Sequence, residues 1–232
     1  MAIVREDTRS QAWWLSIDLK PVLRSLTASA LAMLARLITG VRPIWQGCQP
    51  SRKQRIYFAN HGSHVDFILL SSCLPPDQRA KTRGVAAADY WGRTRFRRLI
   101  SEVLLGAVLV ERNWVERKAD PLAVLIEALD RGDTLIMFPE GTRNMGEEPL
   151  LRFRSGLYSL ATARPDVELI PCWLENMSRV LPKGEFLPVP LLCRAIFGAP
   201  VIPSPGEEKY AFLARARGAL LALDPKSKGE KS

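Results

Sequence analysis

The sequence predicts an α/β fold, with a mainly parallel or mixed sheet flanked by helices. Short apolar β-type runs alternate with segments of helical apolar spacing, the pattern of a sheet covered by helices. The most polar motifs stand where those strand-type runs give out, and function in such sheets collects at the carboxyl ends of strands. The 17 prolines, twelve of them in the second half, mark many short connections in place of one long linker.

Taken in chain order, RIYFAN (55–60) is a short β-type run that leads straight into NHGSHVD (60–66). FILLSSCL (67–74) is helical in character, with Ser63 as its expected N-cap, and Pro75-Pro76 stop it. GVAAADYW (84–91) fits strand and loop equally, whereas GAVLVER (106–112) is a compact buried strand. LAVLIEAL (122–129) has helical spacing, with Asp120 as N-cap, Pro121 at the first helical position and Gly132 as the stop. TLIMF (134–138) is a further buried strand running into the turn PEGTR (139–143), and RFRSGLYSLATA (152–163) opens a helix. VELIPCWLE (167–175) reads as a strand interrupted at Pro171. The Pro-rich stretch 181–205 holds one β-like segment, LLCRAIFG (191–198), before an amphipathic helix from Glu207 to Leu223.

The stretch from Val22 to Val41 is the only membrane-like one. Arg24 and Arg36 interrupt it, leaving eleven uncharged residues between them, and spanning a bilayer takes roughly 20. With Trp13 and Trp14 before it and cations near both ends, it reads as a helix lying in a membrane interface. An ordinary amphipathic helix packed on the domain is the alternative. The expected organisation is an N-terminal interfacial region (1–42), one α/β domain (43–224) and a polar, frayed tail (225–232).

An apolar fraction of 47% supports a substantial core, and 33 Lys plus Arg against 24 acids give a net charge of +9. That excess favours anionic partners. Cys48, Cys73, Cys172 and Cys193 form no C-x-x-C pair, and without a signal peptide they read as buried free thiols.

The chain has two histidines, His61 and His64, both inside one seven-residue segment. His61, His64 and Asp66 could offer three metal ligands, but no other histidine completes a two-metal site, so no metal is expected. General-base chemistry needs only an imidazole near neutrality and a carboxylate that fixes its tautomer. On one straight helix His61 and Asp66 would diverge by about 140°. His61 is therefore expected in the turn before the helix, its ring folded back toward Asp66, with Gly62 allowing the bend. The alternative is that His61 merely caps the helix and Asp66 favours its dipole. FPEGTR (138–143) places an acid, a glycine, a hydroxyl and an arginine after a strand, a suitable cradle for phosphate, and Arg112 adds a second cation. Glu140 there would hold the turn or orient an arginine; a salt-bridged surface turn is the alternative.

NHGSHVD followed by FPEGTR resembles the glycerolipid acyltransferase family that includes the 1-acylglycerol-3-phosphate acyltransferases. Asn60, His61, Ser63 and Asp66 match its first block, Gly106 and Arg112 its second, residues 138–144 its third except that Asn144 replaces a Ser, and LIPCW with Pro171 its fourth. Arg152-Phe153-Arg154 and LPKGE (181–185) are also similar, so the resemblance covers roughly 40 to 205. It implies that His61 deprotonates the free hydroxyl of 1-acyl-sn-glycerol-3-phosphate while Asp66 orients it. The acyl donor would be acyl-CoA or an acyl carrier protein, acting as co-substrate, with no cofactor. Arg112, Glu140, Gly141, Thr142 and Arg143 are the family positions for the acceptor phosphate. Another lysophospholipid or a lyso-ornithine lipid as acceptor, and a catalytically inactive lipid-binding protein, are the competing readings.

Seven basic residues between Arg79 and Arg98, with Tyr90, Trp91 and Phe96 among them, suit an anionic membrane surface or an acidic carrier. Single-stranded nucleic acid and a plain solvated face are the alternatives weighed; no nucleic-acid partner is expected. The expected location is peripheral or monotopic, on the cytoplasmic face of the inner (plasma) membrane.

Overall fold

A computed structural model describes residues 20–63, 65–88, 94, 106–111, 120–175 and 193–229. Helix α1 (Lys20–Thr39) precedes strands β1 (Arg42–Trp45) and β2 (Arg55–Ala59), then helices α2 (Asp66–Ser72) and α3 (Pro76–Lys81). Strands β3 (Thr82–Ala87) and β4 (Val108–Val110), helix α4 (Pro121–Asp130), strand β5 (Thr134–Met137) and helix α5 (Gly156–Ala163) follow. Strands β6 (Glu168–Glu175) and β7 (Arg194–Phe197) and helices α6 (Lys209–Leu221) and α7 (Pro225–Gly229) complete the described chain.

The seven strands form one mixed sheet in the order β1-β7-β6-β2-β5-β3-β4. Every pair is parallel except β6 with β7, which runs antiparallel from Cys172↔Phe197 to Glu175↔Arg194. The α/β expectation is met, and the reason lies in β2. All five of its residues are buried, because the central strand of a parallel sheet is covered on both faces. Ile56 and Phe58 join the core beneath α4, α5 and α6 with Leu129, Leu160 and Phe212. Tyr57 and Ala59 face the opposite layer with Leu69, Leu70 and Cys73 of the α2 region and Val41 after α1. A period of two thus feeds two cores from one strand.

Asp120 caps α4 as expected, its Oδ1 accepting from the Leu122 N–H at 3.0 Å with Pro121 at the first helical position. Four local expectations are corrected. Strand β6 runs unbroken through Pro171, which sits just beyond the β7 register, and its carbonyl accepts from the Gly198 N–H at 2.9 Å. The ambiguous 84–91 segment is strand to Ala87 and begins earlier, at Thr82. Helix α2 starts at Asp66 with Val65 at the cap position and no side-chain cap, so Ser63 does not serve there. Pro225–Gly229 form a short helix, with the Asp224 carboxylate accepting from the Lys226 N–H at 3.0 Å.

The four cysteines form no disulfide, Cys73, Cys172 and Cys193 being buried, and burial raises the Cys73 thiol to about 12. Among the described residues no helix is long and apolar enough to cross a membrane. Trp13, Trp14, most of the basic run beyond Lys81, and LPKGE lie outside the described residues.

Candidate active site

Strand β2 ends at Ala59 in the middle of the sheet, and Asn60 fastens that end to its neighbour. Its Nδ2 donates to the Leu174 carbonyl at 3.0 Å and its Oδ1 accepts from the Leu174 N–H at 2.7 Å. The next residue, His61, therefore leaves the sheet from a fixed point. The turn His61-Gly62-Ser63 then wraps around one carboxylate oxygen. Asp66 Oδ2 lies 2.9 Å from His61 Nδ1 and accepts from the backbone N–H groups of Gly62 and Ser63, both at 2.8 Å. Asp66 is fully buried, so its charge is supported by these donors in place of water. Its other oxygen, Oδ1, is buried with no hydrogen-bond partner among the described residues.

His61 stands in the turn, its ring folded back to Asp66 across five positions. The carboxylate accepts from Nδ1–H, which leaves the lone pair on Nε2. Nε2 has no hydrogen-bond partner among the described residues, and the side chain keeps 21% of its surface exposed. The pair is thus shut off on the carboxylate side and open on the imidazole side.

The FPEGTR turn holds the same histidine from the other side. The Phe138 ring stacks on the imidazole with centroids 4.2 Å apart and planes 18° apart. Glu140 Oε1 accepts from the His61 N–H at 2.8 Å, and the Asn144 N–H donates to the His61 carbonyl at 2.7 Å. Glu140 Oε2 accepts from the Leu151 N–H at 2.9 Å, so both oxygens are occupied, and the residue is 3% exposed. Burial pushes the Glu140 carboxyl above its ordinary range, against the pull of those backbone N–H groups and of His61. Engaged at both oxygens, Glu140 stands at the base of the expected phosphate positions with no oxygen left for a ligand. It holds the turn, the role its neighbours suggested. Phe138 and Asn60 stand inside the two motifs, but the sequence alone assigns neither a contact; here they hold the His61 ring and the Leu174 backbone.

Gly141 follows with φ of 71°, a conformation that favours glycine. A side chain there would also meet Arg154, whose Cδ and Nε lie 2.5 Å from an ideal Cβ. Arg154 Nε donates to the Glu140 carbonyl at 3.4 Å. Thr142 is exposed and Arg143 half-buried, and neither has a hydrogen bond or ion pair with any described residue. Asn144, the departure from the family Ser, spends its side chain on its own loop, accepting from Gly146 N–H at 3.0 Å and donating to the Glu148 carbonyl at 2.6 Å. Arg112 and His64 lie outside the described residues. Among the described residues no group of three or more His, Cys, Asp and Glu could hold a metal ion.

A family model described as Acyltransferase matches residues 45–175, from the end of β1 to the end of β6, and so contains both motifs. The chain belongs to the acyltransferase family.

This acyltransferase is 28% identical over 156 residues to a 1-acyl-sn-glycerol-3-phosphate acyltransferase of Limnanthes alba, covering 63% of this chain and 50% of that one. It is 25% identical over 130 residues to the chloroplastic 1-acyl-sn-glycerol-3-phosphate acyltransferase LPAT1 of Arabidopsis thaliana, covering 56% and 34%. The chain thus spans half or less of the curated relatives it matches. Its fold is shared with the crystal structure of PlsC, the 1-acyl-sn-glycerophosphate (LPA) acyltransferase from Thermotoga maritima. The TM-score is 0.67 at 19% identity, over 94% of this chain and 86% of that one.

Proposed function

We propose that this acyltransferase transfers a fatty acyl group from acyl-CoA or acyl carrier protein to the free hydroxyl of 1-acyl-sn-glycerol-3-phosphate, giving phosphatidic acid. The observation that carries this reading is the His61–Asp66 contact, with Nδ1 committed to a buried carboxylate and Nε2 left open. Nε2 takes the proton of the acceptor hydroxyl as its oxygen attacks the thioester carbonyl. The C–S bond breaks, and the leaving thiolate takes the proton back from the imidazolium, so products are an ester and a free thiol. Asp66 stays ionised and holds the imidazolium in place.

The phosphate of the acceptor is assigned to the rim formed by Gly141, Thr142 and Arg143, with Arg112 as a further cation and Glu140 beneath as the brace. Arg143 supports this because a guanidinium without a carboxylate partner among the described residues is available for bidentate binding of phosphate. The names of the matched plant enzymes support the same acceptor. No cofactor or metal takes part. The acyltransferase is assigned a peripheral or monotopic position on the cytoplasmic face of the inner (plasma) membrane. In that position α1, exposing Leu26, Met33, Leu34 and Leu37, lies in the interface.

Replacing His61 by Ala is expected to lower acyl transfer by about 10²–10⁴-fold, the contribution of general-base catalysis, with the thermal transition nearly unchanged. Full retained activity would sink the mechanism. A panel of lysolipid acceptors with one acyl-CoA, read by product mass, fixes the acceptor. Phosphatidic acid as the main product is expected, and acylation of a lyso-ornithine lipid alone would replace that assignment.

A further inference from the structure

Helix α1 carries two faces of opposite character. Ala32 is buried and Ala35 packs on the core with α2, whereas Leu26, Met33, Leu34 and Leu37 are between 53% and 76% exposed. Residues 26, 33 and 37 are separated by seven and four positions, so they share one stripe of the helix. At the end of that stripe a cleft of about 250 Å³ opens toward α3, lined by Ser29, Ala32, Met33, Arg36, Leu37 and Arg79. Its two charged side chains are both cations. Neither has a carboxylate partner among the described residues, α1 contains no acid, and the one acid of α3, Asp77, is taken by Arg52 at 2.9 Å.

Arg79 is held rigidly. Its Nε and Nη2 donate to the carbonyls of Ser71, Ser72 and Leu74 at 3.0 to 3.4 Å, which leaves Nη1 without an acceptor among the described residues. Burial, and then the charge of Arg36, lower its affinity for its proton. Among the described residues, two guanidiniums are therefore kept near one cleft without a carboxylate partner, beside long apolar side chains that stay more than half exposed.

We infer that this cleft binds the phosphate of an anionic membrane lipid, clamped by Arg36 and Arg79 while Met33, Leu34 and Leu37 enter the acyl layer. An acidic protein surface would satisfy the two cations but not the apolar stripe, and an isolated phosphate ion would leave that stripe in water. The site lies apart from the His61 centre and requires no turnover. It rests on the interfacial reading of α1, and not on acyl transfer.

The test is flotation of the full chain with phosphatidylcholine vesicles, with and without phosphatidylglycerol, at low and high salt. Arg36→Gln and Leu37→Gln are compared with Arg131→Gln, a charge loss on the opposite layer beside α4. The wild type is expected to prefer the anionic vesicles, and Arg36→Gln to lose about fivefold of that binding, the share of one surface cation. Leu37→Gln should weaken binding to both vesicle types, and Arg131→Gln should change neither. Equal binding to the two vesicle types, or equal losses for Arg36→Gln and Arg131→Gln, overturns the site while leaving the interfacial helix standing. No binding to any vesicle overturns both, although acyl transfer to a soluble short-chain acceptor would survive. Loss of transfer from acyl carrier protein with vesicle binding intact would assign the cleft to the carrier instead.

Discussion

Phe138 and Glu140 open the FPEGTR turn, Thr142 and Arg143 close it, and Gly141 stands between two different environments. On the near side the side chains face the protein: Phe138 stacks on His61, and Glu140 is 3% exposed with both oxygens on backbone N–H groups. On the far side Thr142 and Arg143 face outward without a protein partner among the described residues. One six-residue motif thus carries two duties, and burial separates them. The near half fixes the base, and the far half is free to meet a ligand. Changes in the near half should lower kcat and stability together, and changes in the far half should raise KM alone.

The largest effect is expected deepest inside. Asp66→Asn can keep its carbonyl oxygen on the three N–H groups that Oδ2 accepts. It loses the charge that stabilises an imidazolium, however, and puts an NH₂ in the buried Oδ1 position, which has no partner among the described residues. A drop of about 10²–10⁴-fold in kcat and a stability loss of about 1–3 kcal/mol should follow, read by single-turnover kinetics and chemical denaturation. Unchanged kcat with lowered stability would make Asp66 a turn anchor only, the reading in which it serves the local fold and not the base.

Glu140→Gln tests the brace. The amide keeps one acceptor but turns an NH₂ toward the second backbone N–H, which leaves a buried donor unmet, at a cost of about 1–3 kcal/mol. His61 then loses one of its two main-chain anchors, and a displacement of that kind can lower kcat by about 10²-fold with the acceptor's KM nearly constant. Its pH signature is separate. The folded carboxyl lies above its unfolded value, so the native state holds the proton longer than the unfolded chain does. Glu140 therefore costs stability above its folded pKa, and that cost is relieved as pH falls toward the ordinary carboxylate range. Denaturation across mildly acidic pH should show this slope in the wild type and lose it in Glu140→Gln. An identical slope in both would assign the titration elsewhere.

Much of this was legible in the chain because the relevant contacts are local. TLIM and RIYFA are short apolar runs and form the paired central strands, and the five-residue spacing of His61 and Asp66 excluded a single straight helix. What escaped is non-local. Asn60 finds Leu174 across 114 positions, and Glu140 finds His61 across 79, distances at which no spacing rule operates. Strand β1, RPIW, starts with Arg and Pro and is only partly covered; its identity comes from pairing with β7, not from its own pattern. Pro171 looked like a break because a proline lacks an N–H, yet the β7 register ends one residue away and the carbonyl still finds Gly198.

The smallest effect on the fold, and the sharpest on binding, is expected at Arg143. It makes no ion pair with a described residue, so Arg143→Gln should leave stability within about 0.5 kcal/mol of the wild type. Loss of a charge-assisted contact to the acceptor phosphate removes about 1.5–3 kcal/mol of binding, roughly a 10–100-fold rise in the acceptor's KM. Because the contact is made to a group remote from the reacting hydroxyl, it is present equally in the ground and transition states, and kcat at saturating acceptor should hold. Comparing an acceptor that carries phosphate with a neutral monoacylglycerol makes the assignment specific. The wild type should discriminate strongly between them, and Arg143→Gln should narrow the gap by the same factor that its KM has risen. If Arg143→Gln instead lowers kcat for both acceptors alike, the far half of the turn also positions His61, and the division of the motif by burial is wrong.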